Sequence, residues 1–247
     1  MKQYRLLALD LDGTLLNEQS EVSETNARWI RHAVEAGVTV MASTGRGFQS
    51  TLSIVEQLGL DSPMITVNGG EIWERPHQLH KRTILDADKV IRLHELALQY
   101  PDVWFWAYST EGIFNKEIWT EDAAGHEWMK FGFYTEDLAQ LGSILQEIRA
   151  WDGLEISNSS PNNIEINPLG ISKATALMEV CRMTGIDMSE VVAVGDSLND
   201  IAAIRASGLG VAMGNAQQEV KLAADAVTAT NQQDGVAQVI QQYVLRT

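Results

Sequence analysis

The stretch Leu6-Leu7-Ala8-Leu9-Asp10-Leu11-Asp12-Gly13-Thr14 decides the fold. Its first four residues form a short apolar run of the kind found in a strand buried on both faces, as in a parallel sheet. The run ends in two aspartates one residue apart. Crowded carboxylates are unfavourable unless a cation or hydrogen-bond donors offset them. The pair therefore points to a divalent metal, a nucleophile, or both. Gly13 permits the tight turn out of the strand, and Thr14 adds a hydroxyl. By themselves these residues also fit an ordinary strand followed by an Asp-Gly turn. The remainder of the chain separates the two possibilities.

Outward from this strand, the pattern alternates. Ser23 is placed to cap a helix that runs to Gly37. Val38–Ala42 reads as a second strand and ends in Ser43-Thr44-Gly45-Arg46. A helix from Phe48 to Leu58 leads to a third strand, Pro63–Val67, ending in Asn68-Gly69-Gly70. This rhythm predicts a parallel sheet with helices on both faces, whose ligands bind beyond the carboxyl ends of the strands. After residue 82 the pattern becomes helix (86–100), strand (103–108), turn and returning strand (113–119). A less defined stretch, 121–134, precedes a helix (136–150) and a hairpin (154–156 with 164–166). From residue 168 the α/β rhythm resumes, with Lys173 opening a helix and Val191–Val194 leading into Gly195-Asp196-Ser-Leu-Asn199-Asp200. The predicted fold class is α/β, a parallel core formed by 1–82 and 168–247 with an α+β insert at 83–167.

Composition narrows the function. Of 247 residues, 33 are acidic and 18 basic, a formal charge of −15. That balance argues against general nucleic-acid binding and requires any phosphate pocket to be locally positive. A single cysteine, Cys181, has no internal disulfide partner and fits a reducing, cytoplasmic setting. No apolar run reaches the length of a membrane span.

Four stretches converge on one sheet edge: Asp10 and Asp12, Thr44, Lys173, and Asp196 with Asn199 and Asp200. Oxygen-only ligands favour Mg2+ over zinc. Thr44, the amides near Gly45 and a lysine at a helix N-terminus would receive a phosphate. A carboxylate can attack phosphorus covalently, and a second can give and take the proton.

These motifs, in this order, resemble the haloacid-dehalogenase superfamily, specifically its Cof-type phosphatases of subclass IIB. Val211-Ala-Met-Gly-Asn215-Ala and Asn231-Gln-Gln-Asp234-Gly-Val are similar to the family's downstream pattern. The resemblance implies a Rossmann-like core and a substrate-selecting cap at 83–167. It implies Asp10 as nucleophile, Asp12 as general acid/base, and Mg2+ on Asp10, the Asp12 carbonyl and Asp196. Phosphate would meet the Leu11 amide, Thr44, Gly45, Lys173 and Asn199, with the leaving group near Asn68 and Gly69. Asp200 would stand behind the metal ligands or beside Lys173. Ala174 and Ile204 depart mildly from the pattern, which frequently has glycine and methionine there.

The implied activity is hydrolysis of a small phosphorylated metabolite such as a sugar phosphate. A phosphomutase, a receiver-like phosphorylated module and a non-catalytic phosphate-binding relative are the alternatives. In the insert, Trp104, Trp106 and Tyr108 alternate with Val103, Phe105 and Ala107 on one strand. If the first set forms the open face, its rings could stack on a sugar or a flat leaving group; otherwise they belong to the cap core or to a contact between copies. Arg46 is expected to pair with an acidic neighbour in preference to a phosphate.

Overall fold

The computed structural model describes residues 4–245. Residues up to Lys81 and from Lys173 onward form one compact unit, and Arg82–Ser172 form a second.

The first unit is built on a parallel sheet. β1 (Leu6–Leu9) pairs with β11 (Val191–Gly195) on one side and β2 (Thr39–Ala42) on the other. β12 (Leu209–Ala212) and β13 (Ala226–Val227) extend it, giving the order β13-β12-β11-β1-β2. β3 (Met64–Thr66) continues beside β2 through a parallel bridge from Ser43 to Ile65. Alternation along the strands divides the apolar residues into two layers. Leu7, Leu9, Val40 and Val194 face one core with Ile30 and Ala33 of α1 (Glu24–Glu35) and Ile54 and Val55 of α2 (Phe48–Gln57). Leu6, Ala8, Met41 and Ala193 face the other, with Leu177 and Val180 of α5 (Lys173–Thr184) and Ala203 of α6 (Ile201–Ala206). Ser23 caps α1, accepting a hydrogen bond from the Asn26 amide at 3.0 Å.

Local features go beyond the sequence expectation. Residues 71–82 form a hairpin of β4 (Glu71–Arg75) and β5 (Gln78–Arg82), which makes a small sheet with β3. The hairpin's outer strand is largely exposed, so it lacks the apolar alternation that announces a strand. Its His80 reaches Glu74 at 3.3 Å and Glu179 of α5 at 3.1 Å. The described chain ends in α8 (Gly235–Val239) followed by a π-helical segment, Ile240–Leu245. α7 (Gln218–Ala223) lies between β12 and β13.

The second unit is an antiparallel sheet in the order β7-β6-β8-β10-β9. Its strands are β6 (Trp104–Ser109), β7 (Ile113–Asn115), β8 (Trp128–Tyr134), β9 (Leu154–Ser157) and β10 (Asn163–Pro168). Val103, Phe105, Phe131, Phe133, Ile164 and Ile166 pack with α3 (Ala87–Leu98) and α4 (Leu138–Ile148). The strand expected at 113–119 ends at Asn115, because the Asn115 side chain accepts from the Glu117 and Ile118 amides and turns the chain. The undefined stretch 121–134 contains β8, the middle strand. Lys130 and Gly132 break its apolar pattern, and both are explained by tertiary partners. Lys130 pairs with Glu165 at 3.1 Å, and the Trp106 indole lies where a side chain at position 132 would stand.

No helix among the described residues is long and apolar enough to cross a membrane.

Candidate active site

The site is assembled where β1, β2, β3 and β11 end. Asp10 follows β1 directly, and its amide donates to the Val194 carbonyl at 3.1 Å, so the sheet fixes its backbone. The side chain belongs to the alternation Leu6, Ala8, Asp10 and therefore points toward α5. There the Lys173 ammonium donates to Asp10 Oδ1 at 2.6 Å and to Asp200 Oδ1 at 2.7 Å. Lys173 is 1% exposed and Asp10 is 6% exposed. Asp200 is fixed from its other oxygen, which accepts from the Asp196 and Ser197 amides at 3.0 and 3.1 Å. Of the two positions the family resemblance allowed for Asp200, its oxygens occupy the one beside Lys173. Gly195 makes this possible, since a Cβ there would meet the Asp200 carboxylate.

Asp196 joins the cluster from the strand end of β11. It accepts from the Thr14 hydroxyl at 3.1 Å. Gly13 adopts φ +77°, and a Cβ at that position would lie 2.5 Å from Asp196 Oδ2, so glycine is required for both conformation and space. Asp10, Asp196 and Asp200 each place a carboxylate oxygen within 4.8 Å of the others. Three carboxylates face one ammonium, and the pKa directions follow from that imbalance. Burial pushes Asp10 well above its ordinary value; Lys173 opposes this, while Asp200 and Asp196 add to it. Burial raises Asp196 to about 6, with Asp200 adding to the rise and Lys173 opposing it. Burial works to lower Lys173, but Asp10 and Asp200 more than offset it and hold the ammonium above its usual range.

A second group lies beside the first. Thr44, buried after β2, donates its amide to the Ile65 carbonyl at 2.9 Å and accepts through its hydroxyl oxygen from the Arg46 amide at 3.1 Å. Asn68 adopts φ +58° in a turn whose neighbours, Val67 and Gly69, also have positive φ. A β-branched residue in that region is uncommon, so the turn is held by its surroundings. The Val67 and Asn68 amides donate to the Arg46 and Thr44 carbonyls at 2.8 and 3.0 Å. Asn199 then donates through Nδ2 to Asn68 Oδ1 at 3.1 Å, and its own Oδ1 is buried with no hydrogen-bond partner among the described residues. Leu11 is fully buried, whereas Gly45 is half-buried.

Asp12 behaves differently from Asp10. Its side chain is 54% exposed and is held by Arg46 through two bonds, at 2.7 and 2.5 Å. The expectation of an acidic partner for Arg46 is met, and the partner is Asp12 itself.

The residue pattern of the downstream motifs does not show what each of their side chains holds. Asn215 donates to the Gly13 carbonyl at 2.7 Å and accepts from the Asn231 amide at 2.9 Å, while Asn231 donates to the Leu16 carbonyl at 2.8 Å. The two asparagines thus tie down the loop that follows the paired aspartates. Their only sequence signal is a pair of asparagines beside turn residues, which does not say what they hold.

The donor set fits a hard divalent cation: every candidate ligand is oxygen, and the net charge of the buried cluster favours neutralisation by about two units.

Comparison with known proteins agrees with this chemistry. A model of haloacid dehalogenase-like hydrolases matches residues 7–127 and 115–240. The 5-amino-6-(5-phospho-D-ribitylamino)uracil phosphatase YcsE of Bacillus subtilis is 46% identical over 98% of this chain and 96% of its own length. The pyridoxal phosphate phosphatase YbhA of Escherichia coli is 30% identical over 98% of this chain and 99% of its own. Among solved structures, a haloacid dehalogenase-like hydrolase from B. subtilis superposes with a TM-score of 0.87 at 26% identity, covering 97% of this chain and 99% of the other. The chain belongs to the haloacid dehalogenase-like hydrolases.

Proposed function

We propose that this hydrolase is a magnesium-dependent phosphatase of a small phosphorylated metabolite, working through an aspartyl-phosphate on Asp10. The observation that carries the proposal is the buried Lys173 ammonium shared by Asp10 and Asp200, with the Asp196 carboxylate beside them. With Oδ1 held by Lys173, the other Asp10 oxygen is the nucleophile. It forms a bond to phosphorus as the bond from phosphorus to the leaving oxygen breaks, and Asp12 gives that oxygen its proton. Water then attacks the aspartyl-phosphate, Asp12 takes a proton from it, and inorganic phosphate leaves with the Asp10 carboxylate restored. For Asp12 to do this, its ion pair with Arg46 opens during the cycle. Mg2+ would be held by Asp10, Asp196 and the Asp12 carbonyl, and when bound it would neutralise charge on the carboxylates and the phosphoryl oxygens. Thr44, Gly45, Lys173, Asn199 and the Leu11 amide receive the phosphate, with Asn68 and Gly69 toward the leaving group. Lys173 also screens the incoming dianion from a chain whose overall charge is −15.

For the substrate, the YcsE likeness supports a phosphorylated polyol attached to a flat ring, with 5-amino-6-(5-phospho-D-ribitylamino)uracil as first candidate and a plain sugar phosphate as second. The second unit, residues 82–172, is proposed as the cap that selects it. Along β6 and the residue before it, Val103, Phe105 and Ala107 are buried, whereas Trp104, Trp106 and Tyr108 are half-buried. The aromatic set therefore occupies the face away from the helices, where a ring could stack. The lone buried Cys181 supports a reducing, cytoplasmic setting.

The deciding measurement is phosphate release from these substrates, with and without magnesium, for the wild type and Asp10→Asn. Magnesium-dependent release that disappears in the variant supports the proposal. Release that survives in the variant, or in excess chelator, overturns the nucleophile or the metal. Transfer to a second hydroxyl without free phosphate would make the enzyme a mutase.

A further inference from the structure

We propose that Ser43 holds a single internal water beneath Asp10 and Asp200, and through it acts as a positioning residue for the reacting carboxylate. Ser43 follows β2, one residue before Thr44. The alternation Met41, Ser43 along and just past β2, Ala8, Asp10 along and just past β1, and Ala193 on β11 turns all these side chains to the layer shared with α5 and α6. Three of the residues that meet there, Ala8, Ala193 and Ala203, are alanines, too short to fill the space. They leave a cavity of about 10 Å³ lined also by Asp10, Ser43 and Asp200. Ser43 is 4% exposed, and its hydroxyl has no hydrogen-bond partner among the described residues.

A buried hydroxyl without a partner is unfavourable, because it loses its bonds to water and gains none in return. A cavity of this size, just large enough for one water, meets the requirement for occupancy when two to four polar groups face it. Ser43 Oγ and the Asp10 and Asp200 carboxylates supply three. The bonds balance: the Ser43 hydroxyl donates to the water, and the water donates to the two carboxylates. Lys173 already ties Oδ1 of each carboxylate from α5. The water ties the same pair from the sheet side, so that Asp10 is fixed by its backbone, by Lys173 and by Ser43 through the water. A group holding a reacting carboxylate in this way typically contributes on the order of tenfold or more to activity.

The test has two parts. A crystal structure of the whole chain near 1.5 Å resolution is expected to contain one water within hydrogen-bond distance of Ser43 Oγ and an Asp10 or Asp200 oxygen; a dry cavity overturns the proposal. Ser43→Ala and Ser43→Cys are expected to lower kcat on the order of tenfold with KM changed less than about twofold. The cysteine variant refills the space with a poor hydrogen-bonding group. Loss in the alanine variant alone would assign the effect to packing, and a lowered melting temperature with unchanged kcat would assign it to stability; either result removes the positioning role. That role rests on Asp10 as nucleophile, so Asp10→Asn is assayed in parallel. Turnover surviving in Asp10→Asn removes the nucleophile, whereas turnover lost there and untouched in Ser43→Ala removes only Ser43.

Discussion

Among the described residues each of the two units buries a lysine against a carboxylate, and the surroundings of the two differ. In the second unit Lys130 meets Glu165 at 3.1 Å and lies 4.8 Å from the centre of the Tyr108 ring, with the Ser159 hydroxyl also on Glu165. The carboxylate that this ammonium meets is Glu165, and both residues have further partners. In the first unit Lys173 meets two carboxylates at 2.6 and 2.7 Å, with a third within reach. A balanced buried pair is a structural solution, and replacing both partners with apolar residues is often neutral or stabilising. An unbalanced cluster makes the fold less stable than it could be, and such an arrangement is expected where a cation and a phosphate are to be bound. Burial is nearly equal in the two places, so the surplus of negative charge separates a site from a support.

The comparison can be broken most directly at Asp10. Asp10→Asn should lower turnover by about 10⁴-fold or more while the metal-free variant melts higher than the wild type, because a buried, crowded charge has been removed. A rate within tenfold of wild type, or a lower melting temperature, would end the contrast.

Next come the lysines. Lys173→Met strands two buried carboxylates and should destabilise by about 3–5 kcal/mol in urea titrations, with phosphate release falling by about 10³-fold. Lys130→Met removes the ammonium from Glu165 and should destabilise the fold, yet hydrolysis of a small substrate such as p-nitrophenyl phosphate by the folded enzyme should stay within a few-fold. The double variant Lys130→Met/Glu165→Leu should recover most of the lost stability. If Lys130→Met silences the small-substrate reaction, Lys130 is no mere support.

The third test sharpens the charge argument through pH. Asp196 is raised to about 6 from an ordinary 3.8, and Asp10 is raised as well. Raised carboxyls bind more protons in the folded chain than in the unfolded one, so both destabilise the fold at high pH; for Asp196 the effect is full above about 6 and fades as pH falls toward 4. The metal-free melting temperature should therefore rise between pH 7 and pH 5 in calorimetry, and magnesium at pH 7 should raise it too. A flat profile would mean that the cluster is not carrying surplus charge.

The smallest effect belongs to Arg46. Its pair with Asp12 is well formed but exposed, so Arg46→Ala should change stability by less than about 1 kcal/mol, measured by urea denaturation.

How much of this was legible in the sequence differs between the units for one reason. The parallel core announces itself: Leu6–Leu9, Val38–Ala42 and Val191–Val194 are apolar because both faces of their sheet are covered, and each ends in polar residues that the fold gathers at one edge. Asp10, Thr44, Lys173, Asp196, Asn199 and Asp200 are thus legible in the residue pattern alone, together with the α/β class and the insert. β8 is not, because the partners that explain Lys130 and Gly132, namely Glu165 and Trp106, lie on other strands. Local sequence is also silent on the surroundings of Asp12, Ser43, Asn215 and Asn231. That Asp12 turns to Arg46 while Asp10 turns to Lys173 depends on strand alternation carried past the end of β1. Residue order determined which chemical groups this protein owns and on which strand ends they stand. Only the tertiary structure decided which of them share a buried volume and an unbalanced charge, since charge and desolvation act across space between segments far apart in the chain.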